Sequence, residues 1–239
     1  MTALRRWRMV GDPAQDPATT FLLLLPLGLL HISGWRQAGS GAFGFVLRLL
    51  RWLGPAAPWI LATGLLLLLL WAIGRIRSLR IPWRTSAAAV VVEGLVLGFL
   101  LGPLLSLLTS LTPIESAPLA WSVLAEQWHA KLALSAGAGL YEEVLFRAGL
   151  LAGCRLLLLS FFRGLGWHGA APVLALGLSL FLSSAAFAFA HAWGHPEGVA
   201  IPELTFLFLA GVLLGLIWRW RGLAVVAYTH AAYDAFLLL

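Results

Sequence analysis

The sequence predicts an all-α fold, a polytopic bundle of about six to eight transmembrane helices. Three observations carry that expectation. Of 239 residues, 61% are hydrophobic and only 11% are charged, against about 25% charged in ordinary soluble domains. The mean hydropathy is +0.91. Apolar runs near the ~20 residues that a membrane span needs recur along the chain. A soluble fold of this size cannot hide so much apolar surface. A disordered chain has the opposite composition, poor in apolar residues and rich in charge.

The elements follow in order. Leu4 to Arg8 carries three Arg, and a Pro- and Asp-containing linker follows. Thr20 to Ile32 is a short apolar run interrupted by Pro26 and Gly28, a weak first span or a re-entrant segment. The linker and the lack of a small-x-small cleavage site argue against a signal peptide. Phe43 to Leu53 places Arg48 and Arg51 on one edge of an apolar helix, which suits a helix lying in the interface. Pro58 to Gly74 and Ser86 to Leu111 are clear spans. The second carries Gly94, Gly98 and Gly102 at intervals of four, a flat face for close helix contact. A connection from Thr112 to His129 follows. Lys131 to Phe162 would reach roughly 48 Å as one helix, so it tilts, or bends near Gly149 or Gly153. Pro172 to Trp193, Leu204 to Trp220 and Gly222 to Leu239 complete the set, with a loop from His195 to Glu203. Gly211 and Gly215 repeat the small-residue spacing. Residues 1–130 read as an N-terminal transmembrane region and 131–239 as a second transmembrane region that holds most of the intramembrane charges.

Sixteen basic residues face ten acidic ones, and fifteen of the sixteen are Arg. Most Arg lie in short connections, where they orient spans and meet anionic headgroups. No basic helix or known module supports nucleic-acid binding. The positive-inside rule puts the N-terminal cluster, the Arg75–Arg84 loop, Arg163 and Arg219/Arg221 in the cytoplasm, and the C-terminus outside. Arg36, Arg48 and Arg51 conflict with that topology unless their segment lies in the interface. The single cysteine, Cys154, reads as a small buried hydrophobe. The Leu- and Arg-rich, Lys-poor composition suggests a GC-rich bacterial genome and so a bacterial cytoplasmic membrane.

Ionisable groups inside spans cost roughly 2.5–3.5 kcal/mol each on the translocon scale. Glu93, Glu142, Glu143, Arg147, His191, His230 and Asp234 lie in or at the ends of apolar runs. Glu143 and Arg147 are four apart with the acid first, the favourable order for a helical pair. Glu142 is rotated about 100° away and has no local cation. An apolar surround suits such a lone carboxyl to general acid–base work; the competing reading is a buried ion-pair knot that fixes packing. His191 ends Phe187-Ala-Phe-Ala-His191, and His195 lies four residues on. The zincin pattern requires Glu after its first His, but Ala192 stands there. His230 and Asp234 share one face, where the carboxylate can orient the imidazole. Glu93 has no evident role.

Glu142-Glu143-xxx-Arg147, Phe187-xxx-His191 and His230-xxx-Asp234 resemble the three ordered motifs of the CPBP intramembrane proteases. That family includes the CAAX prenyl endopeptidases of the Rce1 type and the bacterial Abi proteins. The resemblance covers about Lys131 to Leu239. It implies a helical bundle with a polar active-site cavity inside the membrane, where Glu142 is the general base for a water, assisted by His191. It implies that Glu143 pairs with Arg147, and that His230 and Asp234 bind the oxyanion. The family pattern has Asn or Asp at the last position, and an ionised Asp cannot donate; orienting His230 is then the better role for Asp234. No cofactor is required in this reading. Two His and a Glu could also hold zinc with an open water position, and its ligands would be Glu142, His191 and His230. The expected partners are a membrane-associated protein or peptide substrate and the bilayer. An ion-coupled transporter and a non-catalytic scaffold or immunity protein are the alternatives. The substrate cannot be read.

Counted inward from the span ends, His230 lies about 12 Å deep on one side and Glu142 about 18 Å deep on the other. His191 falls near the outer end of its span. Either that span starts later than Pro172, or the site is displaced outward.

Overall fold

The computed structural model of the chain describes residues 12–34, 51–52, 54–110, 128–193 and 200–239. These residues form seven helices and no strand. We number them α1 (Pro17–Gly34), α2 (Ala57–Leu79), α3 (Trp83–Ser110), α4 (128–164), α5 (Ala171–Ala192), α6 (Ile201–Arg221) and α7 (Leu223–Leu238). The first six are long and apolar enough to cross a membrane, and α7 is a shorter apolar helix of 16 residues.

Local chemistry sets the boundaries. Asp16 accepts the Ala18 backbone N–H at 2.9 Å and Pro17 opens α1, a side-chain cap with a first residue that needs no donor. Pro also sits in the first turn of α2, α5 and α6. Arg80 ends α2 in the left-handed region, φ 51°, and returns its N–H to the carbonyls of Ile76 and Arg77. Gly222, at φ 88°, lets α6 turn into α7 with no loop between them.

Helix α7 is the centre of the bundle. Nearly every residue from Ala224 to Tyr233 is buried, and α7 packs on α3, α4 and α6. At about 24 Å it is short for a span, but its neighbours surround it, so it need not match the bilayer. Its closest partner is α3. A Cβ added at Gly98 would stand 2.7 Å from both the Thr229 carbonyl oxygen and the Ala232 Cβ. The glycine face expected on α3 is therefore the bed for α7. Gly211 and Gly215 take the same part in α6, against Ser184 and Leu180 of α5. Helix α2 is peripheral; Ala72 and Ile76 meet α1 while most of its Leu residues face outward.

The structure differs from several sequence expectations. The doubtful first span is a continuous 18-residue helix that contains Pro26. The 37-residue α4 is continuous through Gly149 and Gly153, and its winding widens in π-helical turns over Ala138–Glu142 and Val144–Leu151, a feature the sequence reading did not include. Pro202 and Glu203 are not loop residues, because a proline suits the first turn of α6. The expected interfacial helix lies almost wholly outside the described residues, as do the 111–127 connection, Arg36, Arg48 and His195.

Candidate active site

The π-helical stretch of α4 brackets the two glutamates. On a regular helix neighbouring residues point about 100° apart. Here both turn inward, Glu142 at 8% exposure and Glu143 at 0%. Wide turns of this kind are rare and are found disproportionately at functional sites.

Glu143 is held from two sides. Arg147 Nη1 lies 3.0 Å from its Oε1, the expected four-residue pair. His230 Nδ1 lies 2.7 Å from the same oxygen. A carboxylate only accepts there, so Nδ1 carries the proton. That leaves His230 Nε2 facing the other acids, 3.6 Å from Asp234 Oδ2 and 3.9 Å from Glu142 Oε2. The short hydrogen bond that orients His230 therefore comes from Glu143 on α4, not from Asp234 on its own helix.

Glu142 faces two imidazoles from two other helices. Its Oε2 lies 3.4 Å from His191 Nε2 and 3.9 Å from His230 Nε2. Carbonyls only accept, so His191 Nδ1 donates to the Phe187 carbonyl at 2.8 Å and Nε2 is left for Glu142. Both separations are long for hydrogen bonds, and Glu142 Oε2 is buried without one. The partners that Glu142 lacks on its own helix are supplied from α5 and α7.

Phe187 joins these groups. The Arg147 guanidinium sits over its ring at 4.6 Å, the His191 ring is 4.4 Å away and the His230 ring 5.9 Å. Arg147 also donates to the Gly211 carbonyl of α6 at 3.3 Å. The sequence marked Phe187 only as the start of a motif; its apolar ring carries no chemical signal until its neighbours are known. His31 of α1, unmarked in the sequence, is buried against α4, with Nδ1 2.9 Å from the Ala133 carbonyl and its ring 5.2 Å from Tyr141.

The structure thus brings Glu142, Glu143, Arg147, His191, His230 and Asp234 into one group. Helix α5 begins at Ala171, so His191 occupies its last turn. The late-start alternative for this span does not hold, and the site lies towards the 192 end of α5. Glu93 is elsewhere, in a two-pronged pair with Arg221, Nε to Oε1 at 2.5 Å and Nη2 to Oε2 at 2.7 Å. Among the described residues no group of three or more His, Cys, Asp or Glu is disposed to hold a metal ion. The carboxylate–imidazole geometry suits proton transfer, with one buried carboxyl beside two imidazole nitrogens.

Residues 124–236 match the family described as type II CAAX prenyl endopeptidase, Rce1-like. No match is found among curated proteins or among solved structures.

Proposed function

We propose that this chain, whose residues 124–236 match the Rce1-like type II CAAX prenyl endopeptidase family, is a membrane-embedded protease that hydrolyses a membrane-associated polypeptide with water activated by Glu142. The observation that carries this reading is Glu142 Oε2 between the Nε2 atoms of His191 and His230, which come from separate helices. A water bound to that oxygen lies within reach of both imidazoles. Glu142 takes its proton as the water oxygen bonds to the scissile carbonyl carbon. The carbonyl oxygen becomes an oxyanion, which protonated His230 meets with Nε2–H while Nδ1–H stays on Glu143. As the C–N bond breaks, the leaving amine receives the proton from Glu142, with His191 sharing it on the way. A fixed donor aimed at the developing oxyanion is worth most where water is excluded.

Glu143, Arg147 and Phe187 act by position in this scheme. Asp234 flanks Nε2 of His230 and balances its charge when the ring is protonated. No step requires a resident metal. Purified protein freed of metal by chelation is expected to keep its cleavage rate; activity that vanished and returned only with added zinc would overturn the metal-free scheme. The substrate is proposed only by class, a chain anchored in or on the bilayer. The decisive assay reconstitutes the full chain with membrane-anchored peptides, including a prenylated C-terminal peptide and ones with apolar C-terminal tails. Products are read by mass spectrometry for wild type and Glu142→Gln. Cleavage by the wild type alone supports the scheme, and equal cleavage by the variant ends it.

A further inference from the structure

Helix α4 carries one more ionisable group in its apolar length, Arg155. It is half-buried, its Nε is shut away from solvent, and no hydrogen bond or ion pair engages it among the described residues. A guanidinium inside a span ordinarily faces a partner or a wet cavity.

Helix register identifies what Arg155 faces. Arg147 bonds to the Gly211 carbonyl, and Leu151 packs where a Gly215 Cβ would stand. Helices α4 and α6 therefore run parallel, and a further turn along both brings Arg155 level with Arg219. Ser184 meets Gly211 and Leu180 meets Gly215, so α5 runs antiparallel to them and presents Leu176 at the same level. Beyond Leu151, α4 and α6 part while each stays packed on α5. The result is a cleft with α5 as its floor. Gly177 continues the α6-facing stripe of α5, yet a Cβ added there meets nothing within 4 Å. The helix register puts half-buried Arg155 on one wall and exposed Arg219 on the other.

Among the described residues no acid answers these two cations. At this end of the bundle Asp16 pairs with Arg75, and Arg221 takes both Asp12 and Glu93. Arg219 lies just before the turn at Gly222, where the bundle reaches the interface. We propose that Arg155 and Arg219 form a binding site for the phosphate of an anionic phospholipid. Two guanidinium forks suit phosphate oxygens. Leu176 and Leu180 of α5 are partly exposed and offer an apolar approach, which suits acyl chains and offers nothing to free phosphate.

The test uses the full chain in detergent with equal phosphatidylglycerol and phosphatidylcholine, read by native mass spectrometry. Wild type is expected to retain phosphatidylglycerol preferentially. The double variant R155Q/R219Q should lose about tenfold of that preference, since charge-assisted hydrogen bonds to the phosphate are removed. R219Q alone changes only an exposed side chain, so it tests the site without endangering the fold, and should lose several-fold. R77Q/R84Q alters exposed Arg at the same end but outside the cleft, and should change nothing. Unchanged preference in R219Q and the double variant overturns the site. Equal loss in R77Q/R84Q does so too, by assigning the attraction to the diffuse field of the Arg-rich end. Displacement of the lipid by millimolar inorganic phosphate overturns the lipid as occupant.

Discussion

The two adjacent glutamates differ in what their removal should do. Glu143 and Arg147 are almost wholly buried and form an ion pair at 3.0 Å, and Glu143 also accepts a hydrogen bond from His230. Breaking such a pair strands a charge away from water and costs about 3–5 kcal/mol. Arg147→Ala should therefore lower the unfolding midpoint sharply and lose cleavage with it. Glu142 makes only long contacts, so Glu142→Gln should leave the midpoint near wild type while abolishing cleavage. Thermal unfolding and product formation on the same preparations separate the two. A Glu142→Gln protein as unstable as Arg147→Ala would return both acids to a purely structural knot. The four-residue spacing already announced the Glu143–Arg147 pair, because both partners lie on one helix. The Glu143–His230 bond was not legible, because it joins residues 87 apart through tertiary packing. The same limit hid the partner of Glu93, Arg221, which stands 128 positions away.

At the scale of elements, glycine faces determine where the side chains of the candidate site arrive. His230 has one face of α7 behind it that rests on Gly94, Gly98 and Gly102 of α3. Gly139 of α4 presses on another, where an added Cβ would stand 2.7 Å from the Ala231 Cβ. The obstacles at Gly98 include backbone atoms of Thr229 and Tyr233, which cannot rotate aside. Gly98→Val is therefore expected to push α7 off α3 and cost at least about 1–3 kcal/mol, as overpacking does. Cleavage should fall further than stability alone explains, since a displaced His230 leaves Glu143. Gly64 faces open space in α2, so Gly64→Val is the matched control and should leave both quantities near wild type. Small residues at intervals of four are visible in a sequence, so the α3 face was legible. The π-helical winding of α4 was not, because it depends on the neighbours that accept the turned side chains.

Across the whole molecule, ion pairs gather helix ends that lie far apart in the chain. Asp16 at the start of α1 holds Arg75 near the end of α2, and Arg221 at the end of α6 reaches Asp12 and Glu93. Gln15 adds a bond from its amide to the Trp220 carbonyl at 2.9 Å. These contacts are partly exposed, and each is worth no more than about 1 kcal/mol; their value here is directional. They put the start of α1 and the ends of α2 and α6 at one end of the bundle. Helix α4 runs parallel to α6, so Arg163 joins that end, and α7 starts there at Gly222. The Arg75–Arg84 connection, Arg163, Arg219 and Arg221 therefore share one face, and the acidic Glu203 lies at the other. Cationic connections stay on the cytoplasmic side during insertion. The expectation is therefore a cytoplasmic Arg-rich face, with α7 running outward and Leu239 towards the far side. A phosphatase fused after Leu239, active only outside the cytoplasm, should be active, and a fluorescent protein that matures only inside should stay dark. The reverse pair of results would invert the bundle, and with it the leaflet from which the Arg155–Arg219 cleft draws its lipid.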